Sequence, residues 1–278
     1  MKTSAKNEWI EAIDREQDNI CVLNFRLSEV IPQHIHKQGH ILVVISGVAT
    51  MDVERNTYYI PTGHFVWIPS GKSHRVSVDD RAIEVLNIYF PAEFCQDPFF
   101  EEVGIYPIFS LLYHTMEYIQ GASRSYLAGE WQYELLATMH HILPNIVPQQ
   151  TSHLWLPTTD HPMVCRIIAA IQANYRRPIT EQDIAQRVGI SSRTLSRYLR
   201  AELGTSFLRY LRKYRVIQAI KMLVEGGDSI TNIAYSVGFD SLTVFSNSFY
   251  KVTGCRPSQF FKMSSEECPE LSNKRRIQ

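Results

Sequence analysis

The chain is 278 residues long, 45% hydrophobic and 20% charged with zero formal net charge, which fits a folded protein of about two domains. No apolar run approaches the ~18 residues of a membrane span, and the polar stretch from Met1 to Arg15 lacks the apolar core of a signal peptide, so a cytoplasmic protein without a membrane partner is expected. Five scattered cysteines (Cys21, Cys95, Cys165, Cys255, Cys268), none in a CxxC pair, argue against a disulfide framework or a thiolate zinc site.

The first ~90 residues read as short strands. Segments 41–46, 48–54, 57–60, 65–68 and 83–90 are rich in β-branched and aromatic residues. Gly39, Gly47, Pro61-Thr62-Gly63 and Pro69-Ser70-Gly71 punctuate them as turns. Strands this short and this close predict a small β-barrel or sandwich. Trp67, Tyr58, Tyr59, Phe65 and Tyr89 alternate with polar neighbours, so one set faces inward; most are expected in the core, with some walling a pocket.

Two histidine spacings fall in this region. One is His34-x-His36-x-x-x-His40, followed by Gly47; the other is Gly63, Pro69, Gly71 and His74. In a strand, His34 and His36 point to one side, and a partner strand can bring His74 opposite. Converging neutral imidazoles would suit zinc, iron or another transition metal. The same residues, His34, His36, His40 and His74, together with Trp67, equally describe a metal-free ligand pocket, and a purely structural role is the third alternative. The two spacings resemble the motifs of the cupin barrel. His40 stands where that family usually has a carboxylate, and no Asn follows His74. His114, His140, His141, His153 and His161 share no spacing and receive no role.

The pattern then turns helical. Residues 105–120 and 126–143 carry apolar side chains at three- and four-residue spacing, among them Leu127, Trp131, Leu135, Leu136, Met139 and Ile142, until Pro144 and Pro148 end the run. This stripe can pack on the barrel or on a second copy of the chain. The polar, proline-bearing stretch 148–162 is expected to link a domain over 1–147 to a helical domain over 163–264, with a frayed tail at 265–278. Charge divides the same way: 10 Lys and Arg oppose 19 Asp and Glu up to residue 161 (−9), and 18 oppose 9 beyond it (+9). A basic module attached to something else suits phosphate contact.

The basic part contains two helix-turn-helix units. In the first, Thr180 with Asp183 makes a capping-box pair; Ile184, Ala185 and Val188 form the buried face, and Gly189 the turn. Ser191 caps a second helix exposing Ser192, Arg193, Ser196, Arg197 and Arg200, with Leu195 and Leu199 inward. Arginines and hydroxyls at helical spacing are what major-groove reading needs, because Arg pairs bidentately with guanine. The second unit repeats the plan 49 residues on, with Ile233, Ala234, Val237 and Gly238, then Phe239, Phe245 and Phe249. Between them 207–224 reads as an amphipathic spacer with Leu208, Leu211, Ile217, Ile220 and Leu223 inward, and Arg209, Arg212, Lys213 and Arg215 on a polar face.

The run from Ile233-Ala234 through Val237-Gly238-Phe239, Ser241, Phe245, Phe249 and Gly254 to Pro257 resembles the DNA-binding domain of AraC/XylS-family bacterial regulators. The resemblance implies an α+β protein: an N-terminal cupin-like β-barrel with flanking helices, then an all-α double helix-turn-helix domain. It implies a sequence-specific regulator, more often an activator, that binds double-stranded promoter DNA, a small-molecule effector and RNA polymerase, with the 105–143 helices where the family dimerises. Base-edge candidates by position are Arg193, Ser196 and Arg197, then Leu242, Thr243 and Asn247. Asn247 and Tyr250 depart from positions where the family often has basic residues, so the first unit is expected to carry more of the affinity. No catalytic residue and no certain cofactor is implied. Two rivals are a metal-dependent cupin enzyme fused to DNA-binding helices, disfavoured by the missing carboxylate, and a ligand-independent regulator whose barrel only dimerises.

Overall fold

The computed structural model describes residues 13–79, 81–119, 123–147 and 153–266. Chain contacts divide them into one unit of residues 13–54, 60–147 and 262–266, and another of 55–59 and 153–261.

The first unit is built on strands β1 (Ile20–Leu27), β2 (Ile31–His34), β3 (Gly39–Val44), β4 (Val48–Val53), β6 (His64–Ile68), β7 (His74–Val78), β8 (Ile83–Phe90), β9 (Gly104–Pro107) and β10 (Arg124–Tyr126), while most of β5 (Asn56–Pro61) belongs to the second. Six of them form an antiparallel sheet in the order β10-β1-β8-β3-β6-β9. A second antiparallel set runs β4-β7-β2. The five segments expected as strands are strands; β2 and β7 carry His34 and His74, read from the sequence on partner strands, although His36 lies past the end of β2, and β1 is an addition to the sequence reading.

Side-chain alternation splits the large sheet into two faces. Ile41 and Val43 pair across to Trp67 and Phe65, and these join Leu86, Ile88 and Phe90 in one cluster. Helices α1 (Ser110–Ile119) and α2 (Trp131–Ile146) cover that face with Leu112, Met116, Leu136, Met139 and Leu143. The intervening residues, His40, Leu42, Val66 and Ile68, point to the other side. The helical reading needs correction at its ends. Residues 104–107 and 124–126 are strands, Leu127 and Trp131 are exposed, and α2 continues through Pro144, which lies in its last turn.

His140 on α2 is completely buried in this apolar cluster. Its ring stacks on Phe100 at 4.1 Å and lies beside Phe90, Trp67 and Phe94. Neither ring nitrogen has a hydrogen-bond partner among the described residues.

The second unit contains β11 (Trp155–Pro157), which pairs with β5 at Trp155 opposite Tyr58. Part of the stretch expected as a linker is therefore a strand; residues 148–152, like the tail beyond 266, lie outside the described residues. Seven helices follow: α3 (Pro162–Asn174), α4 (Glu181–Val188), α5 (Ser192–Leu203), α6 (Phe207–Glu225), α7 (Ile230–Ser236), α8 (Leu242–Thr253) and α9 (Pro257–Glu266). Serines 191, 206, 229 and 241 each accept a backbone N–H at a helix start. Such caps are worth ~1 kcal/mol each. The Thr180–Asp183 capping box is complete in both directions.

The spacer helix α6 is not amphipathic. Tyr210, Leu211, Val216, Ile217, Ala219, Ile220, Leu223 and Val224 are buried around most of its circumference, while Leu208 is exposed. A helix apolar on most sides is one packed on several sides, here by α7, α8 and β11.

Burial holds the His140 pKa down to about 3 and that of His64 down to about 4. An unfolded histidine takes up a proton below about 6.5, so the unfolded state gains protons that the fold refuses. Stability should be full above that pH and fall as pH drops from about 6.5 towards 4. His140→Leu removes an unpaired buried group and should raise stability by about 1 kcal/mol near neutral pH, more at pH 5. Urea unfolding at the two pH values checks this, and a destabilised variant would show that the imidazole is needed where it sits.

Candidate functional site

The second helices of the two helix-turn-helix units are placed by the same local devices. Gly189 (φ 77°) and Gly238 (φ 94°) take the left-handed backbone that ends α4 and follows α7. Ser191 and Ser241 then start α5 and α8, and Gly204 (φ 60°) and Gly254 (φ 80°) end them. The second turn is one residue longer, so the repeat shifts from 49 before the turn to 50 beyond it. Leu195 and Leu199 correspond to Phe245 and Phe249, all buried.

On α5, Arg193, Arg197 and Arg200 are exposed, and none forms an ion pair among the described residues. Ser192 and Ser196 are half-buried, and the Ser196 hydroxyl donates to the Glu181 carboxylate of α4. Ser196, expected at a base edge, thus has its proton engaged within the unit while its oxygen can still accept. On α8, Leu242, Thr243, Val244, Asn247 and Tyr250 are exposed.

Arg215, expected on the polar face of the spacer, is buried. Its Nε donates to the Tyr175 carbonyl at 2.8 Å and Nη2 to the Arg177 carbonyl at 2.9 Å, both just past α3, and its guanidinium lies 5.7 Å from the Phe239 ring centroid. A buried cation without hydrogen bonds costs several kcal/mol, so these carbonyls are what allow it there. A Cβ built on Gly238 would lie 2.5 Å from the Tyr175 carbonyl and 2.9 Å from Arg215 Nη2. The turn before α8 thus rests directly on the end of α3. Spacing could not reveal this, because an arginine on a helix reads as solvated by default. Lys213 is similarly drawn in: its Nζ sits 3.7 Å from the Trp155 ring centroid, and burial lowers its pKa to about 8.

In the first unit the pairing of β2 with β7 sets His34 opposite His74. The ring centroids are 4.2 Å apart for His34–His74, 5.1 Å for His36–His74, 4.8 Å for His36–His40 and 5.3 Å for His40–His74. One ligand atom from each of His34, His36 and His74 lies within 4.8 Å of the others. Nδ1 of each is 2.8, 2.7 and 2.8 Å from the carbonyl of Pro32, Gln38 and Lys72 respectively. A carbonyl only accepts, so each Nδ1 carries the proton and each Nε2 keeps a lone pair.

Burial lowers the His34 pKa, brings His36 to about 4 and His74 to about 3, and holds His40 well below its usual value. All four rings are therefore neutral near pH 7. His36 Nε2 and His40 Nδ1 are buried without a hydrogen-bond partner among the described residues. Tyr89, one of the aromatics expected in the core or along a pocket wall, stacks on His40 at 4.6 Å and borders the histidine cluster. Trp67 does not. It lies on the opposite face of the sheet, its Nε1 donating to the Phe100 carbonyl at 3.0 Å. Alternation shows that two faces exist but not which one meets the histidines.

Sequence profiles match in both units. That of the AraC-like ligand binding domain covers residues 23–101, and that of a helix-turn-helix domain covers 184–263. The transcriptional regulator NimR of Escherichia coli is 27% identical over 248 residues, 86% of this chain and 85% of the relative. The transcriptional activator RhaR of Shigella dysenteriae is 22% identical over 271 residues, 91% and 94% of the two chains. Among solved structures, ToxT from Vibrio cholerae is 15% identical, with 88% of this chain and 98% of that one covered and a TM-score of 0.37.

Gly189 and Gly238 share a positive φ but not their surroundings, since nothing lies within 4 Å of a Cβ built on Gly189. Gly189→Ala should cost about 1 kcal/mol for the left-handed backbone alone, and Gly238→Ala about 3 kcal/mol or more, because backbone must also move. Equal losses in urea unfolding would contradict the close packing of the second turn.

Proposed function

The chain belongs to the AraC family of transcription regulators, and from that premise we propose that α5 and α8 enter two successive major grooves of a promoter. One observation carries this reading: two capped helices in register on one scaffold, each following a left-handed turn and each with an exposed outer face. Arg193 and Arg197 are the guanine readers, Ser192 and Arg200 lie beside them, and Leu242 and Thr243 in the first turn of α8 meet base edges, with Asn247 behind them. RhaR is named an activator, and we read this chain as one too, acting in the cytoplasm by contact with RNA polymerase. The exposed Leu127 and Trp131 offer apolar surface to a second copy. No step needs a catalytic residue, and we assign none.

The effector site in this reading is the histidine pocket, and a ligand there alters DNA binding. The three Nδ1–carbonyl bonds favour a divalent transition-metal ion as part of what it holds. Such backbone bonds are the outer partners that metal-ligating histidines use to fix their tautomer, and a set of nitrogens without a carboxylate suits zinc, copper or nickel. His34, His36 and His74 would hold the ion, with His40 the nearest further imidazole. When bound, the ion would supply a Lewis-acidic contact for a small polar effector.

Two measurements test these assignments. Arg197→Ala should cost about 1–3 kcal/mol in operator binding and relax preference at one base pair; an equal loss on every sequence would make Arg197 a phosphate contact instead. Elemental analysis of the purified full-length protein should find about one equivalent of a transition metal, lost in the His34→Ala/His74→Ala double variant. Absence of metal from the wild type after incubation with zinc or nickel would leave a neutral polar pocket for an organic effector.

A further inference from the structure

Beyond the turns, the two reading helices align by their serine caps and terminal glycines, Ser191 with Ser241 and Gly204 with Gly254. In that register Arg197 corresponds to Asn247 and Arg200 to Tyr250. The second helix therefore carries an amide and a phenol where the first carries two cations. The structure fills the gap from elsewhere in the chain. Arg256, two residues past Gly254, folds back across α8. Its Nη1 donates to Asn247 Oδ1 at 3.0 Å and to Ser246 Oγ at 3.1 Å, and its guanidinium carbon lies 5.2 Å from the Tyr250 ring centroid. Arg256 is exposed, and no carboxylate pairs with it among the described residues.

We propose that Arg256 is the DNA-phosphate contact of the second unit, supplying from the α8–α9 turn the positive charge that α5 carries at Arg197 and Arg200. The brace orders the guanidinium before DNA arrives, so less side-chain freedom is lost on binding. Nη1 is engaged, while the other N–H groups make no bond to described residues and remain for an oxygen anion. Bases are met by the first turn of a reading helix. Asn247 and Tyr250 lie in its second and third turns, where the helix leaves the groove for the backbone. The brace also constrains Asn247. With Oδ1 facing a group that only donates, the amide presents N–H outward, so the pair offers donors alone. Phosphate oxygens satisfy donors, whereas the bidentate Asn–adenine pairing needs the amide oxygen as well.

The inference rests on α8 being a reading helix, and the test separates the two ideas. An operator is first selected from random-sequence duplexes with the wild-type full-length protein. Binding is then followed by fluorescence anisotropy across salt concentrations for wild type, Arg256→Lys, Arg256→Gln and Thr243→Ala. Gln removes the charge but is two bonds shorter than Arg, so Arg256→Lys, which keeps a charge while giving up the guanidinium brace, separates loss of charge from loss of the brace. The expected result for Arg256→Gln is a severalfold loss of affinity, equal on every single-base operator variant. Its salt slope should be shallower by about one unit, and Arg256→Lys should retain the slope. An unchanged slope and affinity in Arg256→Gln, or a loss confined to one base pair, overturns the proposal. If Thr243→Ala still relaxes preference at one position in that case, the reading of α8 stands and only the role of Arg256 falls.

Discussion

A single buried guanidinium makes the DNA-binding unit one scaffold. Arg215 sits on the helix joining the two helix-turn-helix units, yet bonds to carbonyls at the end of α3 and packs on Phe239 of the second turn. A buried charge is tolerated only when its hydrogen bonds are met. Displacing either the α3 end or the second turn would leave it short of partners. The close seat of Gly238 against the Tyr175 carbonyl follows from the same packing. A rigid spacer helix alone would fix the separation of its ends. The Arg215 contact also fixes the rotation of one unit about the other, and two reading helices need both to meet one face of a duplex.

The first unit obeys a different constraint. Its large sheet has one face sealed by helices and an opposite face that carries histidines, and the two-residue period assigns each side chain to one of them. Backbone carbonyls hold the three imidazole protons on Nδ1, and burial keeps the rings neutral. The result is a cluster of neutral imidazoles, with His40 standing where the cupin resemblance implies a carboxylate.

Much of this was legible in the residues. Caps, left-handed glycines and apolar spacing are local rules, and in the DNA-binding unit local rules agree with the fold, so both helix-turn-helix units could be placed residue by residue. The His34–His74 pairing followed from strand geometry, and the structure bears it out as a register pair. What escaped were facts set by tertiary contact. Arg215 was read as solvated because nothing in its sequence neighbourhood reveals the carbonyls ~40 residues away that accept from it. Trp67 was placed in the pocket because alternation does not say which face is which. The extra residue in the second turn became visible only when the serine caps were compared, and with it the match of Asn247 and Tyr250 to two arginines.

In the proposed function α5 and α8 read DNA together, held in one geometry. Hydroxyl-radical footprinting and purine-methylation interference with the full-length protein on its selected operator test it most directly. Two major-groove tracts on one face of the duplex are expected, about 10 base pairs apart centre to centre, both lost when 5 base pairs are inserted between them. A single protected tract, or two that tolerate the insertion, would contradict it.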